Sequence, residues 1–432
     1  MTSARADREP GLPGPLADIF REVASELDGA TLVRARLADE RGAPPTALLA
    51  VGKVSFPMFA GYLASCGAPP KALLVAPPTR FPEEPNLPPG TSALVGDHPN
   101  PTPRSVDAGT AAERFVKTLS PEDRLLVLLS GGGSSILCAP ALPLSLEDKR
   151  AAVKAVSRAG AAIAELNTVR KHLSRIKGGQ LGALTKAPTQ VWALSDVVGN
   201  DPATIASGPF SADPTTFAQA KALLERFAPD APAPVKAWIG DGVRGLSPET
   251  PKPGDGRLDH VRYECLAGPE NVRDSARRVV QTRGFVGLPL SADVETDVEV
   301  LAATYVARAH AESASGGAPR VCVGNGEPSI VVRGQGTGGR ATHLALLVAK
   351  GINGLAGVRF LAAGTDDRDG SAPAAGAEVH GGTWAEAQRQ GLNPQAALDD
   401  NDAATVLGAL GALVHGPGTS NLLDLHLLGV GI

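Results

Sequence analysis

Leu125-Leu126-Val127-Leu128-Leu129-Ser130-Gly131-Gly132-Gly133-Ser134-Ser135 is the stretch on which the reading of the fold turns. Five consecutive aliphatic residues fit a strand with no solvent face, and three glycines bracketed by serines end it sharply. Comparable apolar runs stand at 46–51, 71–76, 92–95 and 191–194, with helical patterns at 54–65, 105–119 and 146–184 between several of them. Strands alternating with helices specify a largely parallel sheet covered by helices, an α/β fold with a Rossmann-like sheet.

Residues 228–258 read APDAPAPVKAWIGDGVRGLSPETPKPGDGRL, rich in proline and glycine and without periodicity. Such a segment predicts a linker, which divides the chain into 1–227, 228–258 and 259–432. Beyond it the pattern predicts strands at 261–266, 285–290, 321–323, 329–333 and 358–362. Helices are expected at 269–282, 295–312 and 340–350, two more within 385–413, and a last apolar run at 422–430. The expected whole is two α/β domains with an active-site cleft between them.

Composition removes several classes of function. Lysine and arginine (41) against aspartate and glutamate (45) leave a formal charge of −4 without any basic run, and aromatics are only 4% of the chain. Nucleic acid is therefore not the expected partner, and a small molecule is. Cys66, Cys138, Cys265 and Cys322 lie far apart with no CxxC, which fits neither a zinc site nor a disulfide framework and suits a reduced cytoplasm. The first sixteen residues have no apolar signal region and no apolar stretch is long enough for a membrane span, so a cytoplasmic monomer or homodimer is expected. Glycine (50) and proline (37) make up about a fifth of the chain, an excess that must lie at particular places.

Ligands of open α/β sheets bind beyond the carboxyl ends of the strands, and the glycines cluster there. Ser130, Gly131, Gly132, Gly133, Ser134 and Ser135 would form either an anion nest or a tight turn. Gly52-Lys53 follows the 46–51 run and sets a cation at a strand end, for a phosphoryl or carboxylate oxygen or for solvent. Asp196 follows the 191–194 run, where it would hold Mg²⁺ or accept a proton. Upstream, Arg170, Lys171, His172, Arg175 and Lys177 crowd one helical window that ends in glycine, either a solvated face or a basic wall of a site.

In the second half Gly334-Gln335-Gly336-Thr337-Gly338-Gly339 satisfies GxGxxG after the expected 329–333 strand. That brings an NAD(P)H-dependent reductase into consideration, although the next strand-end acidic residue, Asp366, comes later than that fingerprint requires. Arg340 would instead present a guanidinium to phosphate or carboxylate. Asp366, Asp367 and Asp369 would collect a divalent cation or shape an Asx-rich loop. GxxxxGK[ST], HExxH and GxSxG are absent, and Ser174-x-x-Lys177 lacks the companion motifs of the β-lactamases.

Together these motifs resemble the class II glycerate kinases, the glycerate 2-kinase family with a C-terminal MOFRL-type domain. They stand here, in the family's order, as VGK (51–53), DHPNP (97–101), LLSGGGSSIL (128–137), NTVRKHLSRIKGGQL (167–181), LSDVVGNDPATIASGP (194–209), GNGEPSIVVRGQGTGGR (324–340), GTDDRDG (364–370) and GPGTSNLLDL (416–425). The resemblance implies a Rossmann-like domain joined to a second α/β domain with a mixed sheet. It also implies transfer of the γ-phosphoryl of ATP, with Mg²⁺, to the 2-hydroxyl of D-glycerate, giving 2-phosphoglycerate. By motif, Lys53 and Arg340 would be the cations at the transferred phosphoryl and the substrate carboxylate, with Asp196 beside them as base or metal ligand. Ser130 to Ser135 would be the anion-binding turn, and Arg170, Lys177, Glu327, Asp366, Thr419 and Asn421 would line the cleft.

The sequence departs from the family at Thr102, at Ala341-Thr342-His343 after the arginine, at Asp367 in a glycine position and at Leu423. These changes allow a related hydroxy acid as acceptor. The alternatives are a hydroxypyruvate reductase and a ligand-binding relative without catalysis.

Overall fold

The structure is a computed structural model that describes residues 14–290 and 296–432. It divides into two compact units, Gly29–Gly268 and the residues up to Asp28 together with Pro269–Ile432.

The first unit is built on six strands, β1 (Ala47–Val51), β2 (Lys71–Ala76), β3 (Thr91–Val95), β4 (Leu125–Leu129), β5 (Thr189–Leu194) and β6 (Val261–Ala267), all parallel in the order β3-β2-β1-β4-β5-β6. Every residue of β1 and β4 is buried, which is why both appear in the sequence as unbroken aliphatic runs. Strand order reverses between β1 and β4, the position at which open sheets of this kind part to admit a ligand. A second apolar cluster of this unit is helical, joining Val156, Val169, Leu173, Phe217, Leu224 and Val235.

The second unit carries β7 (Val286–Pro289), β8 (Arg320–Gly326), β9 (Val358–Gly364), β10 (Gly376–His380), β11 (Leu413–Val414) and β12 (Asp424–Val430), in the order β11-β10-β9-β12-β8-β7. Only β7 and β8 run parallel; the other pairs are antiparallel, so the sheet is mixed. Its core centres on helix Arg340–Gly351, whose Leu344, Ala345 and Val348 are fully buried with Phe360 and Leu428. Helix Pro15–Glu26 belongs to this unit: Leu16, Ile19, Phe20 and Val23 are buried, and Glu378 of β10 accepts its Ala17 N–H at 2.8 Å.

Four sequence expectations need revision. Residues 228–258 do not form a linker, because helix Ala233–Val243 packs Val235 and Ile239 into the helical cluster and β6 completes the first sheet. The chain passes between the units after Asp28 and again after Gly268. The 146–184 pattern is two helices, Leu146–Arg158 and Ile163–His172, followed by a short turn at Gly182–Leu184. Residues 329–333 form no strand; Ser329 makes one isolated bridge, Val331 and Val332 are exposed, and Asn401 Oδ1 takes the Arg333 and Gly334 N–H groups at 2.7 and 3.1 Å. The expected 295–312 helix is seen as Val298–Ser315, and its expected first residue, Glu295, lies outside the described residues. Among the described residues no helix is long and apolar enough to cross a membrane.

Candidate active site

The tips of β1 and β4 are tied together through the glycines. Ser130 N–H donates to Val51 O at 2.9 Å, Lys53 N–H donates to Gly131 O at 3.0 Å, and Ser130 Oγ accepts the Val54 N–H at 3.0 Å. Gly52 has φ +121, and a Cβ there would run into the Ser130 side chain and carbonyl. Gly132 has φ +83 and caps the short helix Gly133–Ile136; a Cβ at Gly132 would stand 3.4 Å from Lys53 Cγ and 3.0 Å from the His98 ring. Only glycine adopts these backbone conformations freely, so the glycine excess is explained at its most crowded point. Lys53 and His98 thereby lie over the β4 loop. Ser134 Oγ and Ser207 Oγ are 2.7 Å apart, and Ser207 donates to Asn167 Oδ1 at 3.2 Å. Ala206 and Ser207 hold left-handed φ values of +52 and +61, strain of the kind that concentrates at functional loops.

Next to this loop the first unit encloses a cavity of about 560 Å³. Its walls include His98, Gly132, Ser134 and Ser135 from the strand-tip loops, and Asn167, Arg170, Lys177 and Asp196 from the helical window and the end of β5. Lys149, Arg150, Lys154 and Arg158 add to Arg170 and Lys177, so six cations face one carboxylate, Asp196. Burial pushes the Arg170 guanidinium down, and burial together with neighbouring cations pushes Lys177 well below the usual lysine range. The cavity is thus charged to receive an anion.

The basic window divides. Arg170 and Lys177 reach the cavity. Lys171 pairs with buried Asp213 at 3.3 Å, His172 Nε2 lies 3.4 Å from Glu249, and Arg175 binds Glu113 at 2.6 Å. Those three residues serve packing. Lys149 and Cys138 line the cavity without having been singled out in the sequence. Lys149 sits in an ordinary Glu-Asp-Lys-Arg helix start, and only its burial distinguishes it.

In the second unit Arg340 is held by two carboxylates. Its Nε donates to Asp424 Oδ2 at 2.8 Å, and its Nη2 lies 2.5 Å from Glu327 Oε1. Asp424, and then Glu327 and Asp369, raise the guanidinium above its usual range against the opposing effect of burial. Asp369 caps the helix that begins at Arg340, accepting the Ala341 and Thr342 N–H groups at 2.9 and 2.7 Å and the Thr342 hydroxyl at 2.6 Å. Asp366 Oδ1 accepts Arg368 N–H at 3.3 Å, and Asp367, at φ +55, accepts Gly416 N–H at 2.8 Å. The aspartate-rich loop therefore performs turn chemistry. Nearby Asn421 is buried and Thr419 Oγ1 has no partner. Among the described residues no three His, Cys, Asp or Glu side chains converge as a metal site.

The departures have definite contacts. Thr102 caps helix Pro103–Lys117 and donates its hydroxyl to Asp97, Thr342 is bound to Asp369, and His343 is buried with Nδ1 unpartnered. Leu423 occupies a left-handed φ of +74. Since residues 330–333 form no strand, Gly334–Gly339 lacks the strand that a dinucleotide fingerprint requires.

Comparison with known proteins agrees with this architecture. Residues 16–240 match a domain of unknown function, DUF4147, and residues 320–424 match the MOFRL family. The D-glycerate 2-kinase of Thermotoga maritima is 33% identical over 76% of this chain and 77% of its own length. A protein of Agrobacterium vitis, provisionally named a hydroxypyruvate reductase, is 35% identical over 78% of this chain and 77% of its own length. The crystal structure of a glycerate kinase from Thermotoga maritima superposes with a TM-score of 0.83 at 28% identity, covering 96% of this chain and 98% of that one.

Proposed function

Because the chain belongs to the glycerate kinase family that joins a DUF4147 domain to a MOFRL domain, we propose that it transfers the γ-phosphoryl of ATP to the 2-hydroxyl of D-glycerate, giving 2-phosphoglycerate. One observation carries the reading to this chain: a cavity lined by six cations lies beside the glycine loop at the β1/β4 switch point. Phosphoryl transfer asks a protein for positioning and charge neutralisation more than for covalent chemistry.

In the proposed reaction the acceptor's hydroxyl oxygen forms a bond to the γ-phosphorus, the bond from that phosphorus to the β,γ-bridging oxygen breaks, and ADP leaves. Lys53, lying over Gly132, neutralises charge on the transferred group. Asp196 either accepts the hydroxyl proton or holds the metal. A single protein carboxylate suits Mg²⁺, which takes most of its ligands from phosphates and water and would neutralise phosphate charge here. From the second unit Arg340, fixed by Asp424 and Glu327, is the candidate for phosphate recognition. None of the four cysteines forms a disulfide, which suits a reducing cytoplasm.

A coupled ADP-release assay over D-glycerate and related hydroxy acids tests the reading. Turnover that requires ATP and Mg²⁺, with 2-phosphoglycerate identified by phosphorus NMR, is the expected result. A folded protein that binds ATP and phosphorylates no hydroxy acid overturns it. NAD(P)H oxidation on addition of hydroxypyruvate would instead establish the reductase activity.

A further inference from the structure

Three cations in the first unit's cavity lack the partners that buried charges need. Lys149 stands in the first turns of helix Leu146–Arg158, which Ser145 caps by accepting the Asp148 N–H at 3.0 Å. It is 4% exposed, lines the cavity, and its Nζ has no hydrogen-bond partner. Lys177, 2% exposed, donates from Nζ only to the Leu137 carbonyl at 3.3 Å. Arg170 donates Nη1 to the Asn167 amide oxygen at 3.2 Å. Among the described residues none of the three forms an ion pair with a carboxylate. A cation removed from water and left without a counter-charge destabilises a fold, and burial accordingly lowers both lysines. The arrangement becomes favourable when an anion enters.

Arg340, which the family resemblance sets with Lys53 as the cations at the transferred phosphoryl and the substrate carboxylate, already has Asp424 and Glu327 on its guanidinium. We propose that Lys149, with Lys177 and Arg170, forms a carboxylate-binding subsite in this cavity that takes the carboxylate of the hydroxy-acid acceptor. The subsite follows from the three cations, and the identity of the acid rests on the kinase reading above. Charge recognition of this kind selects acids over uncharged polyols, because a neutral ligand leaves the buried ammonium groups unpaired.

The test compares the wild-type full chain with Lys149→Met, a change that nearly conserves volume and removes the charge. The variant should raise the KM for D-glycerate at least tenfold, change the KM for ATP less than twofold, and melt no lower than wild type. A purely structural lysine would melt lower when replaced. Calorimetric titration, with and without a non-hydrolysable ATP analogue, should show that wild type binds D-glycerate but not glycerol. Should Lys149→Met fail to fold, this wild-type titration decides, and absence of D-glycerate binding overturns the subsite. Wild-type kinetics in Lys149→Met overturn it while leaving the kinase reading intact. A rise in the KM for ATP alone, or binding of inorganic phosphate in place of glycerate, assigns the cations to phosphate and also overturns it. Lys149-dependent binding of D-glycerate without turnover upholds the subsite and removes the kinase reading.

Discussion

Arg340 grips Asp424 with two donors, Nε to Oδ2 at 2.8 Å and Nη2 to Oδ1 at 3.3 Å, and that side chain is only 4% exposed. Removing the guanidinium leaves Asp424 buried and unpaired at the head of β12. Arg340→Ala should therefore lower stability by about 2 kcal/mol, a buried-pair value discounted for the arginine's partial exposure. Thermal melts check the fold, and steady-state assays should show a loss of turnover of ~10²-fold. Arg340→Lys keeps the charge but not the fork, and its melting temperature should fall between the two.

Lys53 presents a different case. Its side chain is half-buried and lies over Gly132 at the strand-end loop. Lys53→Ala should lower turnover by ~10²-fold or more while the melting temperature moves by no more than about two degrees. Undiminished turnover would remove Lys53 from the proposed chemistry.

The glycine loop makes a prediction about backbone strain. Gly132→Ala forces a side chain into φ +83 and against His98 and Ile136, at a cost of about 1–2 kcal/mol, and the accompanying shift of the glycine loop should reduce turnover. Gly52→Ala meets the Ser130 backbone as well and should be more severe. Denaturant midpoints of the two variants give the ranking.

Acid stability should depend on His426. This imidazole, on β12 itself, is fully buried, 2.8 Å from the Tyr305 hydroxyl, and burial lowers it from 6.5 to about 4. Below pH 6.5 the unfolded chain binds a proton that the folded chain refuses, so stability falls as pH drops from 6.5 to about 4 and levels off beneath. The contribution over that window is about 3 kcal/mol. His426→Leu should flatten this part of the profile, measured by urea denaturation at pH 7 and pH 4.5, although it is less stable at pH 7 through loss of the tyrosine bond.

How much could be read in advance depended on where each residue's environment comes from. The parallel strands were legible because burial on both faces writes itself as unbroken aliphatic runs. Val331 and Val332 form such a run too, yet they stand exposed, because the neighbouring backbone is bound by a side chain 68 residues away, Asn401. β10 was missed: its Gly-Ala-Glu-Val-His carries a buried glutamate that makes sense only opposite Arg359 and Ala17. Among the residues that line the cavity, Gly132, Ser134, Ser135 and Asp196 could be picked out from their positions just after strands, and Arg170 and Lys177 from the basic window and the family's motif. Lys149 could not, since its neighbours in sequence are those of any solvated helix, and its place in the cavity depends on other elements, such as the β4 loop and the helix that carries Arg170.

The helix at residues 15–26 has a consequence for synthesis. Its apolar stripe of Leu16, Ile19, Phe20 and Val23 has its resting place in a body whose remaining residues begin at Pro269. A ribosome adding 5–20 residues per second needs roughly ten to fifty seconds to reach Pro269 and roughly twenty to eighty to supply the strands through β12, during which that stripe must wait, shielded or at risk of straying. Emergence from the ribosome and completion of the fold are thereby out of step: the earliest described helix is among the last to find its partners. A fragment beginning at Pro269 would, for the same reason, leave the sheet face of Leu361, Leu427 and Gly429, opposite the one that helix Arg340–Gly351 covers, partly uncovered, and any attempt to produce that body alone would have to bring the distant helix with it.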